Sequence, residues 1–124
     1  MSTSFTLTKE LSVSPEVVPE RLPGGEYERS IDVPAALQAF VAGPLRVVQR
    51  REWNGMVATI TISIAGQPVT VRGELRLAEQ DQRTRATFTG EVEANVPFVG
   101  GIVESAVRDE VTAQFERELA TVTG

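Results

Sequence analysis

The chain has 124 residues, of which 41% are hydrophobic, and this length and composition fit one folded domain with a real core rather than a disordered segment. Its 12 basic and 17 acidic residues give a net charge of −5, which argues against broad nucleic-acid binding and against attraction to anionic membranes. Cysteine and histidine are both absent, which excludes disulfides and thiolate chemistry and removes the usual zinc ligand and the usual general base.

No apolar run approaches the roughly 18 residues that a membrane-spanning helix needs, and the opening residues do not have the pattern of a signal peptide. We therefore expect a cytoplasmic protein that does not insert into membranes. Composition alone names no ligand and no reaction.

The N-terminal third is predicted to contain two strands separated by a connector. Weak alternation predicts an opening strand near residues 4–12, and a short strand is expected near residues 26–33. The connector at 14–25 contains three prolines and two glycines, which forbid a long regular element. Pro34 suits the first position of two helical turns over residues 34–41.

The middle of the chain alternates between apolar and polar residues, which is typical of antiparallel strands with one solvated face. Asn54-Gly55 is the strongest short-range signal for a hairpin, and residues 65–68 and 79–82 supply two further turns. We therefore expect a meander of four strands from about residue 45 to residue 96. The apolar positions expected to face the core are Ile60, Ile62, Val71, Leu75, Phe88 and Val92.

The C-terminal segment changes to a helical period. Its apolar residues recur every three or four positions, at Val99, Val103, Val107, Val111, Phe115, Leu119 and Val122. This spacing predicts a helix over residues 97–122, roughly 30 Å long, with Glu104 on the outward side. Because one helix cannot bury its apolar stripe alone, we predict an α+β fold in which a curved antiparallel sheet packs on this helix, as one domain spanning residues 1–124.

Four polar residues share strand parity with apolar neighbours and are therefore expected on the concave side of the sheet: Lys9, Arg29, Gln49 and Arg51. A polar group left unpaired there costs about 1–3 kcal/mol, so these residues could hold the carboxylate or other polar head of a ligand. The interpretation that we favour is a bulge, an edge position or extension to solvent. Trp53 and Tyr27 could line a pocket, although a tryptophan beside an Asn-Gly turn more often packs within the hairpin.

Support for catalysis is weak. No carboxylate is expected on the concave face, so paired-carboxylate chemistry is unsupported. Serine and threonine lack a histidine base, and Lys9 and Tyr27 are only weak candidates for acid–base groups. We assign no catalytic residue, no metal site and no cofactor.

Several short motifs resemble the SRPBCC superfamily, also called START-like or helix-grip proteins, and most closely a family of uncharacterised bacterial proteins within it. They are Val33-Pro34 with Phe40-Val41, Arg51-Glu52-Trp53, Gly73-Glu74-Leu75, and residues 89–101 running into Glu104. The resemblance covers about residues 26–122, and its distinctive part is the Val-Pro-Phe-Val-Gly-Gly junction. It implies a sheet that wraps the C-terminal helix, with a cavity between them for a lipid, sterol, polyketide or other apolar molecule.

The N-terminal half departs from that pattern, in which a helix pair follows the first strand. Ser14 and Pro15 suit the start of a helix. Pro19 is expected to end it, because its ring would clash with the carbonyl of Pro15, and Pro23-Gly24-Gly25 prevents a restart. The helix pair, and the strand after it, are therefore expected to be missing.

We expect the protein to bind a small apolar or amphipathic ligand between the sheet and the C-terminal helix, without catalysis. The residues expected to contact this ligand are Lys9, Arg29, Gln49, Arg51, Trp53, Ile62, Val71, Phe88, Val107, Val111 and Phe115. The apolar members of this set are also the expected core. Two alternatives therefore stay open: an interaction or oligomerisation module that uses the uncovered sheet and helix face and binds no small molecule, and, third, a cyclase-like enzyme.

A homodimer or higher oligomer is also expected. Loss of the helix pair would expose several hundred Å² of apolar surface, which monomers rarely tolerate, and a second copy would cover it through a two-fold interface. The competing outcome is that Val17, Val18 and Leu22 fold back and fill the gap within one chain.

Overall fold

A computed structural model describes residues 2–33, 35–39 and 43–123 of the chain. In these residues six strands form one antiparallel sheet in the order β1-β6-β5-β4-β3-β2. The strands are β1 (Ser2–Leu11), β2 (Gly25–Ile31), β3 (Leu45–Asn54), β4 (Val57–Ile64), β5 (Val69–Gln80) and β6 (Arg83–Ala94). The helices are a one-turn α1 (Val18–Arg21) and a long α2 (Gly100–Thr123), with 3-10 turns at Pro15–Val17 and Ala35–Leu37. The predicted α+β architecture is confirmed.

The meander from β3 to β6 forms where the alternation predicts it. Gly55, in the β3–β4 turn, has a φ of 64°, the left-handed conformation that the Asn-Gly signal indicates. In the β5–β6 turn, Asp81 and Gln82 have φ values of 53° and 64°. Aspartate is among the residues that tolerate this region best, which explains the position of Asp81.

The prediction that Pro19 ends the first helix was wrong. The chain leaves a 3-10 turn at Val17 and continues as α1, in whose first turn Pro19 lies. A proline costs nothing there because the amide it lacks would have no partner within the helix. The short strand expected near residues 26–33 is present as β2, Gly25–Ile31.

The two helical turns predicted over residues 34–41 lie only partly within the described residues. The described part of residues 34–41 contains one 3-10 turn, Ala35–Leu37, whose Leu37 is buried. Pro34, Phe40 and Val41, on which part of the sequence argument depends, lie outside the described residues.

The core is filled where α2 crosses the sheet. Phe88 stacks on Phe115 with ring centroids 4.0 Å apart, and Phe5 contacts the edge of Phe88 at 5.0 Å. Gly73 and Gly90 pair across β5 and β6 and make room for these rings. A Cβ on Gly90 would lie 2.8 Å from Phe5 Cζ, and a Cβ on Gly73 would lie 2.8 Å from Phe88 Cε1.

The short N-terminal turns pack against the core. Val18 and Leu22 are buried against the core, and Val17 is half-buried. This is the intramolecular alternative to a dimer. Among the described residues, the large apolar side chains left exposed are Tyr27, Met56, Phe98 and Ile102.

Candidate functional site

The space between α2 and the sheet is small. The seam cavity, lined in part by Ile62, Val71, Val107 and Val111, has a volume of about 20 Å³. That is close to the space one water molecule needs, about 10–15 Å³ by the same kind of measure. These four predicted ligand contacts therefore lie together, but around a space far too small for a lipid or a sterol, while Phe88 and Phe115 are packed against each other.

A larger pocket lies beside the seam cavity, and we call it the end pocket. Its volume is about 250 Å³, and its lining residues are Arg21, Leu22, Pro23, Tyr27, Glu28, Arg29, Val47, Gln49, Arg51 and Glu118. It shares Arg29 and Val47 with the seam cavity, so the two spaces are neighbours. Three of the four predicted polar contacts, Arg29, Gln49 and Arg51, thus come together here.

The register of β2 and β3 explains this convergence. Arg29 pairs with Val47, Tyr27 with Gln49 and Gly25 with Arg51. Since alternate residues of a strand share a face, Gln49 and Arg51 follow Val47 along the concave side. Lys9 is half-buried on β1, at the opposite edge of the sheet, and does not belong to this group.

Arg51 is almost fully buried, with 4% of its surface exposed. Its Nη1 donates to the carbonyl oxygen of Pro23 at 3.0 Å, and its Nη2 lies 3.3 Å from Glu118 Oε2 on α2. Its guanidinium carbon is 5.3 Å from the centroid of the Tyr27 ring, within the range of a cation–π contact. Arg51 therefore joins β3 to both the N-terminal loop and the helix.

The loop at residues 22–24 forms one wall of the end pocket, and side chains from β2 and β3 hold it. Trp53 Nε1 donates to the carbonyl oxygen of Leu22 at 2.7 Å. The Tyr27 hydroxyl donates to the carbonyl oxygen of Pro23 at 2.5 Å. Trp53, predicted as a ligand contact, is thus placed behind the wall, where it positions the loop.

Three buried nitrogen atoms of this site have no hydrogen-bond partner in the described part of the chain: Arg29 Nε, Gln49 Nε2 and Arg51 Nε. Gln49 is only 4% exposed, so extension to solvent, the interpretation favoured from sequence, does not account for it. An unsatisfied buried donor costs about 1–3 kcal/mol, and three of them in one pocket are unusual for a purely structural site. A role in ligand binding stays a prediction for these residues.

Two carboxylates have positions that the sequence analysis missed. Glu104, expected on the outward side of the helix, is 2% exposed and accepts hydrogen bonds from Thr3 Oγ1 at 2.9 Å and from the Ala94 amide at 3.0 Å. It fixes the start of α2 to β1 and β6. Glu118 lines the end pocket as the partner of Arg51, and no local signal reveals a pair separated by 67 positions.

Two further properties bear on function. No group of three or more acidic residues in the described ranges is arranged to hold a metal ion. Over the same residues, neither helix combines the length and the apolar character needed to cross a bilayer.

A family model described as a protein of unknown function, DUF2505, matches residues 26–124. The chain belongs to this family. The match includes β2, β3 and α2, which supply most of the end pocket, and excludes the loop at residues 22–24. Among proteins of curated function, none matches the sequence of this family member significantly.

Solved structures of other proteins support an SRPBCC-like, helix-grip fold for this DUF2505 member. The Zhui aromatase/cyclase from Streptomyces sp. R1128 is similar with a TM-score of 0.68 at 13% identity, over 98% of this chain and 94% of that chain. The Mll3558 protein from Rhizobium loti is similar with a TM-score of 0.61 at 15% identity, over 98% and 97%. Norcoclaurine synthase from Thalictrum flavum is similar with a TM-score of 0.59 at 13% identity, over 98% and 86%. At these identities the likeness shows the fold alone.

Proposed function

We propose that the protein binds a small amphipathic molecule in the end pocket and does not transform it. The observation that carries this proposal is the pocket itself: about 250 Å³ of space beside an apolar seam, with buried polar groups at its wall. Concave sites with an apolar lining and a few converging polar groups are the usual form of small-molecule sites. The filled seam supports a compact ligand over a lipid or a sterol.

The end pocket offers little support for an enzyme. Lys9 lies on the far edge strand, and the Tyr27 hydroxyl is engaged with the carbonyl oxygen of Pro23. Glu118, the pocket carboxylate on α2, is paired with Arg51. A general base needs a free position within hydrogen-bond reach of the reacting proton, and these groups are already occupied. Binding without turnover is therefore the function that the geometry supports best.

The direct test is native mass spectrometry of the protein purified from cells. We expect a bound small molecule on the wild type and on Arg76→Gln, an exposed position of β5, and its loss from Arg29→Gln. Arg76 is 65% exposed at its side chain and pairs with Glu74, outside the end pocket. An adduct that survives in Arg29→Gln, or a clean apo mass for the wild type, would overturn the proposal.

Self-association is the second candidate function, and one observation favours it. Phe98 is fully exposed at the start of α2, and Ile102, one helical turn later, is 54% exposed. A second copy would cover these side chains, as expected for a homodimer. Light scattering after size exclusion at micromolar concentration tests this: a dimer mass that Phe98→Asn converts to a monomer mass supports it, and a monomer mass for the wild type contradicts it.

The cytoplasmic location expected from the sequence is also a proposal. It is supported by the absence of cysteine from the sequence, since disulfides are common in proteins of oxidising compartments and rare in the cytosol. Fractionation of the native cells, with detection of the protein outside the cytoplasmic fraction, would contradict it.

A further inference from the structure

We propose that the ligand of the end pocket is a small monocarboxylate and that Arg29 binds its carboxylate. The inference rests on the proposed function and adds the chemical class of the ligand. It is carried by the kind, number and charge of the unpaired groups at the pocket wall.

The unpaired buried atoms are all donors. Arg29 Nε, Gln49 Nε2 and Arg51 Nε each carry a hydrogen and have no acceptor among the described residues. A carboxylate is an acceptor only, with about four lone-pair sites on two oxygens. It therefore brings no donor that would compete with these groups, whereas an alcohol or an amine brings donors of its own. The unmet hydrogen bonds favour an acceptor, and the charge of Arg29 favours an anionic one.

Arg29 is the pocket arginine whose side chain has no hydrogen-bond or ion-pair partner among the described residues. Arg51 is paired with Glu118 at 3.3 Å, and Arg21 Nη1 donates to the carbonyl oxygen of Val122. No hydrogen bond or ion pair is recorded for the Arg29 side chain within the described ranges, although Glu110 lies with it at the seam cavity. Guanidinium groups bind carboxylates through two parallel hydrogen bonds, one of which uses Nε.

The charges that line the end pocket favour a ligand with one negative charge. Three guanidinium groups and two carboxylates, those of Glu28 and Glu118, line the end pocket, which leaves one positive charge in excess. A monoanion balances this excess. A phosphate dianion would bring a second negative charge that no excess positive charge of the wall balances and that the two carboxylates would repel. Since the apolar neighbours are Leu22 and Val47 and the seam cavity adds only about 20 Å³, the tail of the acid is short.

Isothermal titration calorimetry with three compounds that share a tail and differ in their head tests the inference. The compounds are hexanoate, 1-hexanol and hexylamine, each titrated at pH 7.4 into the full chain. We expect hexanoate to bind at least 10-fold more tightly than the other two, because a hydrogen bond to a charged group contributes the equivalent of about 10- to 100-fold in affinity. Equal binding of the three compounds would overturn the inference and leave the proposed function standing. Failure of all three to bind would overturn both.

Matched variants assign the effect to the proposed residues. Arg29→Gln should weaken hexanoate binding at least 10-fold and leave 1-hexanol binding unchanged. Arg29→Lys should lose less affinity for hexanoate than Arg29→Gln does. Gln49→Glu keeps the shape and replaces the donor with a negative charge, so it should also weaken hexanoate at least 10-fold. Urea midpoints identify variants that fail to fold, and Arg76→Gln serves as the charge control. Hexanoate binding that Arg29→Gln and Gln49→Glu both leave unchanged would overturn the assignment.

Discussion

Replacing Glu118 with glutamine should have opposite effects on stability and on ligand binding. The change preserves the shape of the side chain and removes the charge that lies 3.3 Å from Arg51 Nη2. Arg51 is buried, whereas Glu118 is 21% exposed at its side chain. The variant therefore leaves a buried guanidinium without its counter-charge, and it takes one negative charge away from the wall of the end pocket.

The size of each effect follows from the geometry. At an effective dielectric constant of about 20, two unit charges about 3.3 Å apart attract by roughly 5 kcal/mol. Solvent at Glu118 and the cost of desolvating Arg51 offset most of this, so we expect Glu118→Gln to lower the free energy of unfolding by about 1–3 kcal/mol. Removing a negative charge from the pocket should tighten hexanoate binding about 5-fold.

Urea unfolding followed by the fluorescence of Trp53, the single tryptophan, measures the stability, and calorimetry with hexanoate measures the affinity. Glu116→Gln, an exposed position on the same helix, is the control and should stay within about 0.5 kcal/mol of the wild type. The reasoning is refuted if Glu118→Gln is as stable as Glu116→Gln, or if it binds hexanoate more weakly than the wild type does.

Three further predictions concern the fold around the pocket. Gly90→Ala should destabilise the protein by about 1–3 kcal/mol, because its Cβ would lie 2.5 Å from the Arg72 carbonyl oxygen. Gly101→Ala, with open space around it, should stabilise the helix by up to about 1 kcal/mol. Equal urea midpoints for the two variants would contradict this prediction. Phe98→Gly should raise the unfolding free energy by about 1 kcal/mol, because Phe98 is exposed with a φ of 69°, and a loss of stability would mean that the ring packs on a partner. Trp53→Phe removes the hydrogen bond to the Leu22 carbonyl, so amide hydrogen exchange at residues 22–24 should accelerate, and unchanged exchange would contradict the wall-holding role.

The sequence predicted the frame of the molecule because periodicity is a local property. The alternation of apolar residues in β4, β5 and β6, the Asn54-Gly55 turn and the stripe of α2 each lie within a short stretch, so the α+β fold followed from them. Parity along β3 likewise placed Gln49 and Arg51 on the concave side, where the structure has them buried. Pro19 was misjudged because the effect of a proline depends on whether it lies in the first turn of a helix or in its interior.

The features that the sequence did not reveal are those that depend on distant contacts. Glu104 is buried because Thr3 and Ala94 supply its hydrogen bonds, and nothing near it in the sequence indicates either donor. The Arg51–Glu118 pair likewise joins β3 to the far end of α2. The volume of a cavity depends on how the packed elements fit together, which no local pattern reveals. The pairing of Gly73 with Gly90, which makes room for the phenylalanine rings of the core, becomes visible only when β5 and β6 are aligned.

The measurement that tests the central claim most directly is an NMR titration of isotopically labelled protein with hexanoate, in which ¹H–¹⁵N shifts locate the ligand. We predict saturable shifts for the backbone amides of Arg29, Gln49 and Arg51 and for the indole N–H of Trp53, with those of Phe98 and Ile102 unchanged. Shifts confined to the start of α2, or no saturable shifts at millimolar hexanoate, would contradict the claim that the end pocket binds a small carboxylate.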